Sequence, residues 1–217
     1  MFVLTADQQS SRTRGDDVPA LLAAIDAWAR ARPRAPFVLG PERTVGDEIQ
    51  AALEDPTAVV SLALHIQRIG GWSVGIGAGA VDVPLAATSR ASSGEAFIHA
   101  RTAVERARGR TVPVPLAVEG MRAERAGEAE ALLQILVGVQ NRRTAAGWEV
   151  IDRLATGATQ RAIAADLGIS EQAVSQRLRT AMWEEQERLH PLAARLVAEA
   201  AGDAGAAGGP PARTGTP

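Results

Sequence analysis

Two carboxylates stand where they can do chemistry together. Asp7 ends the short, partly β-branched apolar run Phe2–Ala6, and Asp47 lies in RTVGDEIQAAL, residues 43–53, where a Gly46-Asp47 pair interrupts a strand-like pattern. Carboxylates on neighbouring strands can share a divalent cation, which in turn can organise a nucleoside triphosphate for attack by a hydroxyl. Such a site would take Mg²⁺ with a nucleotide, Asp7 and Asp47 being the metal ligands. Gly-Asp is equally the ordinary chemistry of a hairpin turn, because glycine accepts positive φ and aspartate tolerates it. The pairing with Asp7 is what gives the dipeptide interest, and Glu48 reads as a solvated neighbour.

A second constellation lies in GWEVIDRLATGATQRAIAADLGISEQAVSQRLRTAMWEE, where Ile163, Ala164, Leu167, Ile169, Val174 and Leu178 fall at the core positions of two helices joined by a tight turn. Ala164 is small at the expected crossing, Gly168 permits the turn, and the Ser170 hydroxyl can cap the second helix. Placed in a DNA major groove, that helix presents Glu171, Gln172, Ser175, Gln176 and Arg179, while Arg161 and Arg177 can reach phosphates. Gln and Arg suit paired hydrogen bonds to adenine and guanine edges. A helical hairpin used only for packing or dimerisation is the alternative. Residues 142–190 hold seven Arg against seven Asp or Glu. A neutral module of this kind predicts modest DNA affinity, which a homodimer on paired half-sites would raise.

These residues need elements to carry them. The chain has 217 residues, 46% of them apolar, enough for one mid-sized domain or two small ones with a proper core. All 23 basic residues are arginine, there is no Lys, Tyr or Cys, and Asn141 is the only asparagine. That skew, with its alanine runs, follows GC-rich coding and is not read as mechanism. The absence of cysteine excludes disulfides, thiolate metal sites and cysteine catalysis. No segment approaches the roughly 20 apolar residues of a membrane span, and the first residues lack a leader pattern, so the expectation is a cytoplasmic protein.

From the N-terminus, a strand at Phe2–Ala6 leads into a polar loop and then a helix with Asp16 or Asp17 as cap, Pro19 in its first turn and Leu21, Leu22, Ile25 and Trp28 at helical spacing. Two strands flank Gly46-Asp47. A helix follows with Asp55 as cap, Pro56 at its start and glycine at its end, then a strand in WSVGIGAGAV. Phe97, Ala100, Val104 and Ala107 share a helix face, and TVPVPL is expected as an edge strand. The order β-α-β-β-α-β-α-β predicts an α+β layer of ferredoxin-like type over residues 1–118. A connecting helix is expected at 119–143, a helical DNA-binding domain at 144–200 and a disordered tail at 201–217, where Gly, Ala and Pro dominate without a periodic apolar face.

Several resemblances attach to these residues. IAADLGISEQAVSQRL is similar to the helix-turn-helix of LuxR-type regulators and of sigma-factor region 4. TVGDEIQ and WSVGIGAGAV resemble the Gly-Asp hairpin and following strand of class III nucleotidyl cyclases and of GGDEF proteins. The wider layout, Asp7, Ser11-Arg12, Gly46-Asp47-Glu48-Ile49-Gln50 and Gly94-Glu95-Ala96-Phe97, resembles the SatD family over roughly residues 2–110, with Ile49 in place of an aromatic. Active cyclases carry an Asn and, four residues on, an Arg that stabilise the charged transition state. Those places hold Ile98 and Thr102 here, Arg101 being about 100° away on the helix, and a purine-selecting lysine is missing. The resemblance therefore implies a transcriptional regulator with a catalytically degenerate cyclase-like sensing or dimerisation domain. The alternative it leaves open is a metal-dependent cyclase-like enzyme or nucleotide-binding protein using Asp7 and Asp47.

Weaker signals fall away. GIGAGA fits a dinucleotide fingerprint only in letters, because Val81-Asp82-Val83-Pro84 breaks the helix it requires, so close backbone packing is the better account. His65, His99 and His190 show no ligand spacing, and Trp72, Trp148 and Trp183 are expected to fill cores.

Overall fold

The computed structural model describes residues 1–10, 13, 15–109, 112 and 114–202. Ser11-Arg12 and the expected tail from residue 203 lie outside them. The chain is α+β, and its elements follow the expected order. Strand β1 (Phe2–Gln8) is followed by helix α1 (Val18–Arg30), strands β2 (Leu39–Arg43) and β3 (Glu48–Leu53), helix α2 (Pro56–Ile69), strand β4 (Trp72–Ala78), helix α3 (Glu95–Ala107) and strand β5 (Leu116–Gly120). Helices α4 (Ala123–Asn141), α5 (Ala145–Ala155), α6 (Gln160–Leu167), α7 (Glu171–Thr180) and α8 (Trp183–Ala200) complete it.

Local chemistry sets most of these bounds. The Asp55 carboxylate accepts from the Thr57 amide at 2.8 Å and Pro56 needs no partner in the first turn, while Gly70 ends α2 at φ 78°. At α1 the Asp16 carboxylate accepts from the Val18 amide at 3.2 Å. TVPVPL is corrected in its placement: β5 starts only at Leu116, the last residue of that segment, and runs to Gly120. Pro115 has no amide hydrogen to give a ladder and meets β4 only through its carbonyl, which accepts from the Val74 amide at 2.8 Å.

The five strands form one sheet in the order β2-β3-β1-β4-β5. Neighbours from β2 to β4 are antiparallel and β5 runs parallel to β4. Because side chains alternate along a strand, the two faces differ. Phe2, Leu4, Ala6, Ile49, Ala51, Leu53, Trp72, Val74, Ile76, Leu116 and Val118 belong to the main core with residues of α1, α2, α4 and α8. The opposite face carries Val3, Ala52 and Ala117, packed on α3 through Ala96, Phe97, Ala100, Ala103 and Ala107.

On that second face α3 lies against β4 at Gly75 and Gly77. A Cβ at Gly75 would overlap the Val104 backbone, and one at Gly77 the backbone of Ala96 and Ala100. GIGAGA is thus a seat for a helix, as the broken fingerprint implied.

Two expectations for the C-terminal half change. The helix read as a connector is a layer of the body: Ala126, Ala129, Leu133, Leu136 and Val137 of α4 are buried in the main core. Helix α8 is long, and it returns to that core through Ala193, Ala194, Val197 and Ala200. Its last turn meets the sheet so closely that the Arg122 amide donates to the Ala200 carbonyl at 3.0 Å. Only α5, α6 and α7 form a separate small core, of Val150, Ile151, Ile163, Ala164, Val174, Leu178 and Ala181.

Candidate functional site

The helix pair expected around Gly168 is present. Thr159 caps α6 by accepting from the Ala162 amide at 3.2 Å, and Ser170 caps α7 by accepting from the Ala173 amide at 3.1 Å. Between them Gly168 is left-handed, φ 62° and ψ 32°, and the Ile169 amide returns to the Ala164 carbonyl at 3.0 Å, closing the end of α6. Ile163, Ala164, Val174 and Leu178 are buried; Leu167 and Ile169 are only partly so. Trp148 and Trp183 pack against the same core, and Trp72 is buried in the main one.

Burying Val174 and Leu178 turns the rest of α7 outward. Glu171, Gln172, Gln176 and Arg179 are exposed, with Ser175 half-buried between them. Arg179 donates to the Ser175 hydroxyl and to Gln176 Oε1, both at 2.7 Å, so three of the residues expected to read bases form one polar group. Arg161 is exposed on α6. Arg177 is half-buried and pairs with Glu149 of α5 at 3.1 Å.

The module is tied to the body by contacts the sequence did not disclose. Arg68 of α2 grips Asp152 of α5 with two bonds of 2.6 and 2.7 Å and lies 3.7 Å above the Trp148 ring. Arg143 donates to the Ala181 carbonyl at 2.8 Å and to Gln186 at 2.7 Å, and burial lowers its pKa to about 10. No local pattern announces a bond between residues 84 apart in sequence. The only advance signal was an arginine closing α2.

The carboxylates occupy the face covered by α3. Asp7 pairs in register with Glu48 of β3 and Ser73 of β4. Gly46, at φ 64°, turns the hairpin, the Thr44 amide donates to the Glu48 carbonyl at 3.0 Å, and the Gln8 amide donates to the Asp47 carbonyl at 3.2 Å. That last bond holds Asp47 against β1, next to Asp7. Glu48 is half-buried and accepts from the Thr44 hydroxyl at 2.6 Å.

Beside this pair a cleft of about 940 Å³ opens between the hairpin, the segment before α3 and α3 itself. Thr5 and Gln50 line it, bonded to each other at 3.2 Å. Ser89 also lines it, though the residue is buried and its hydroxyl has no hydrogen-bond partner. Ile98 and Arg101 both border the cleft. An opening of this width admits neighbours on a helix surface, and Arg101 is long and 81% exposed.

Arg108, just past the end of α3, was missed. Its guanidinium bonds the Asp7 carboxylate directly, across 101 positions of sequence. Burial raises the Asp7 pKa, the nearby Asp47 adds to the rise, and Arg108 opposes it. As placed, these residues do not fit a divalent cation. One carboxylate of the two is already neutralised by a guanidinium, and among the described residues no three His, Asp or Glu side chains gather as a metal-binding set.

A second cleft, of about 840 Å³, lies between α2, α8 and the residues after α1, and contains none of the expected site residues. Among the described residues no helix is long and apolar enough to cross a membrane. Compared with protein-family models, curated proteins and solved structures, the chain matches none.

Proposed function

We propose that the chain is a DNA-binding protein, a cytoplasmic transcriptional regulator that reads DNA with α7 as a homodimer. The observation that carries this reading is the outward face of α7, where Gln172, Ser175, Gln176 and Arg179 stand on a helix fixed by a left-handed glycine turn and a serine cap. A helix so held offers its first turns to base edges, and Arg161 on the preceding helix offers a phosphate contact. Arg177 serves the module internally, as the partner of Glu149. The neutral charge of residues 142–190 makes affinity depend on two copies acting together.

In this reading the sheet body is a SatD-like, cyclase-like domain of ferredoxin-like type. The antiparallel run β2-β3-β1-β4 with helices between the pairs supports it. The body serves as a sensing or dimerisation domain, and Arg68–Asp152 and α8 would carry its state to the DNA module. Turnover is not assigned to it, since Ile98 and Thr102 stand where charge-stabilising side chains would be needed and Arg108 holds Asp7.

Capture of fragmented genomic DNA should enrich discrete sites, and Gln176→Ala with Arg179→Ala should erase that enrichment while the fold persists by circular dichroism. Capture that ignores sequence, or none at low salt, where electrostatic binding is strongest, would sink the reading.

A further inference from the structure

We propose that Arg108 is a built-in counter-cation: its guanidinium takes the place beside Asp7 and Asp47 that a divalent ion would need, and it keeps the cleft free of metal. Asp7 bonds this guanidinium directly, Glu48 stands opposite Asp7 on the neighbouring strand, and the Asp47 carbonyl accepts from the Gln8 amide beside it. The Asp7 side chain is only 9% exposed, so its charge is poorly hydrated and depends on a partner. A pair of converging carboxylates with no cation is self-repelling, and a fold can relieve that in two ways, with an ion from solution or with one of its own. Here the chain supplies its own, at the foot of the helix that walls the cleft.

The position suits the role. Arg108 follows the last residue of α3, where a positive side chain also faces the negative end of the helix dipole. Its side chain is 46% exposed. Removing it takes a charge from beside Asp7 and no apolar side chain from a core. The freed oxygens of Asp7, with Asp47 beside it in the hairpin, are hard donors of the kind Mg²⁺, Mn²⁺ and Ca²⁺ take, two protein carboxylates with water completing the shell. In wild type an ion would have to break a charge-assisted bond and push a guanidinium aside. A ligand entering this cleft consequently meets Arg108 and Arg101 directly, with no metal between.

Mn²⁺ is the probe, titrated into the full chain and followed by the electron paramagnetic resonance of the free ion. Wild type is expected to show no binding that depends on Asp7 and Asp47. Arg108→Ala is expected to gain one site, roughly tenfold or more tighter than anything in wild type, and its melting temperature should rise with Mn²⁺ where that of wild type does not. Adding Asp47→Asn should remove both gains, and Arg108→Lys, which keeps a cation in place, should behave as wild type. Asp7-dependent Mn²⁺ binding in wild type would overturn the proposal. So would a folded Arg108→Ala that gains nothing. Should Arg108→Ala fail to fold with or without Mn²⁺, Arg108→Gln is judged by the same two criteria.

Discussion

On one face of the sheet Leu4, Ile49, Val74, Ile76, Leu116 and Val118 lie beneath four helices; on the other, the same strands offer Thr5, Asp7, Gln50, Ser73, Gly75 and Gly77 to a single one. The first face fits helices by filling space with branched side chains. The second fits α3 by leaving side chains out, so that backbone meets backbone at Gly75 and Gly77. Helix α3 seats chiefly on β4 and β5 and also covers Val3 and Ala52, while Thr5 and Gln50 beside the hairpin line the cleft. One face holds the molecule together, and the other is where a ligand can reach it.

The two modes of packing should break in opposite ways. Leu133→Ala, in the fully buried layer that α4 adds to the covered face, is expected to lower unfolding free energy by about 3 kcal/mol in denaturant titration, through lost burial and a cavity. Gly77→Ala adds one methyl and should still cost about 2 kcal/mol, because the new Cβ meets the α3 backbone and neither element can yield without moving the other. A tolerated Gly77→Ala would mean that α3 is loosely seated. Gly127→Ala is the matching control: on α4, where an added Cβ meets nothing within 4 Å, it should raise stability by up to about 1 kcal/mol.

The same contrast explains what could be read from residues alone. Local punctuation was legible: Asp55-Pro56 with Gly70, Ser170 with Gly168, and the spacing of Phe97, Ala100, Val104 and Ala107 each mark an element through chemistry within a few positions. The neighbourhood of Asp7 and Asp47 was legible too, since strand ends and a hairpin bring them near. The return of α8 was not. Its buried face includes Ala193, Ala194 and Ala200, and in a chain where alanine is common through coding bias such a face does not distinguish itself from a solvated helix. Nor was Arg108, because a salt bridge leaves no period in the sequence and its partner lies at the other end of the sheet domain.

The smallest expected effect belongs to the open face and concerns Asp7. Burial raises its pKa above the ordinary 3.8, so between that value and the folded one the native state holds a proton that the unfolded chain has lost. Over that window unfolding free energy falls as pH rises, and above it the charged carboxylate weighs on the fold despite Arg108. Asp7→Asn removes the titration while keeping the shape. Its melting temperature relative to wild type should therefore be more favourable at pH 7 than at pH 4, and the difference isolates Asp7 from the other carboxylates that titrate in both proteins. A relative melting temperature that moves the other way would mean that Arg108 outweighs burial and that the charged pair stabilises the fold. On the covered face no such dependence is expected: Leu133→Ala should lower the melting temperature by the same amount at both pH values, because its loss is one of packing.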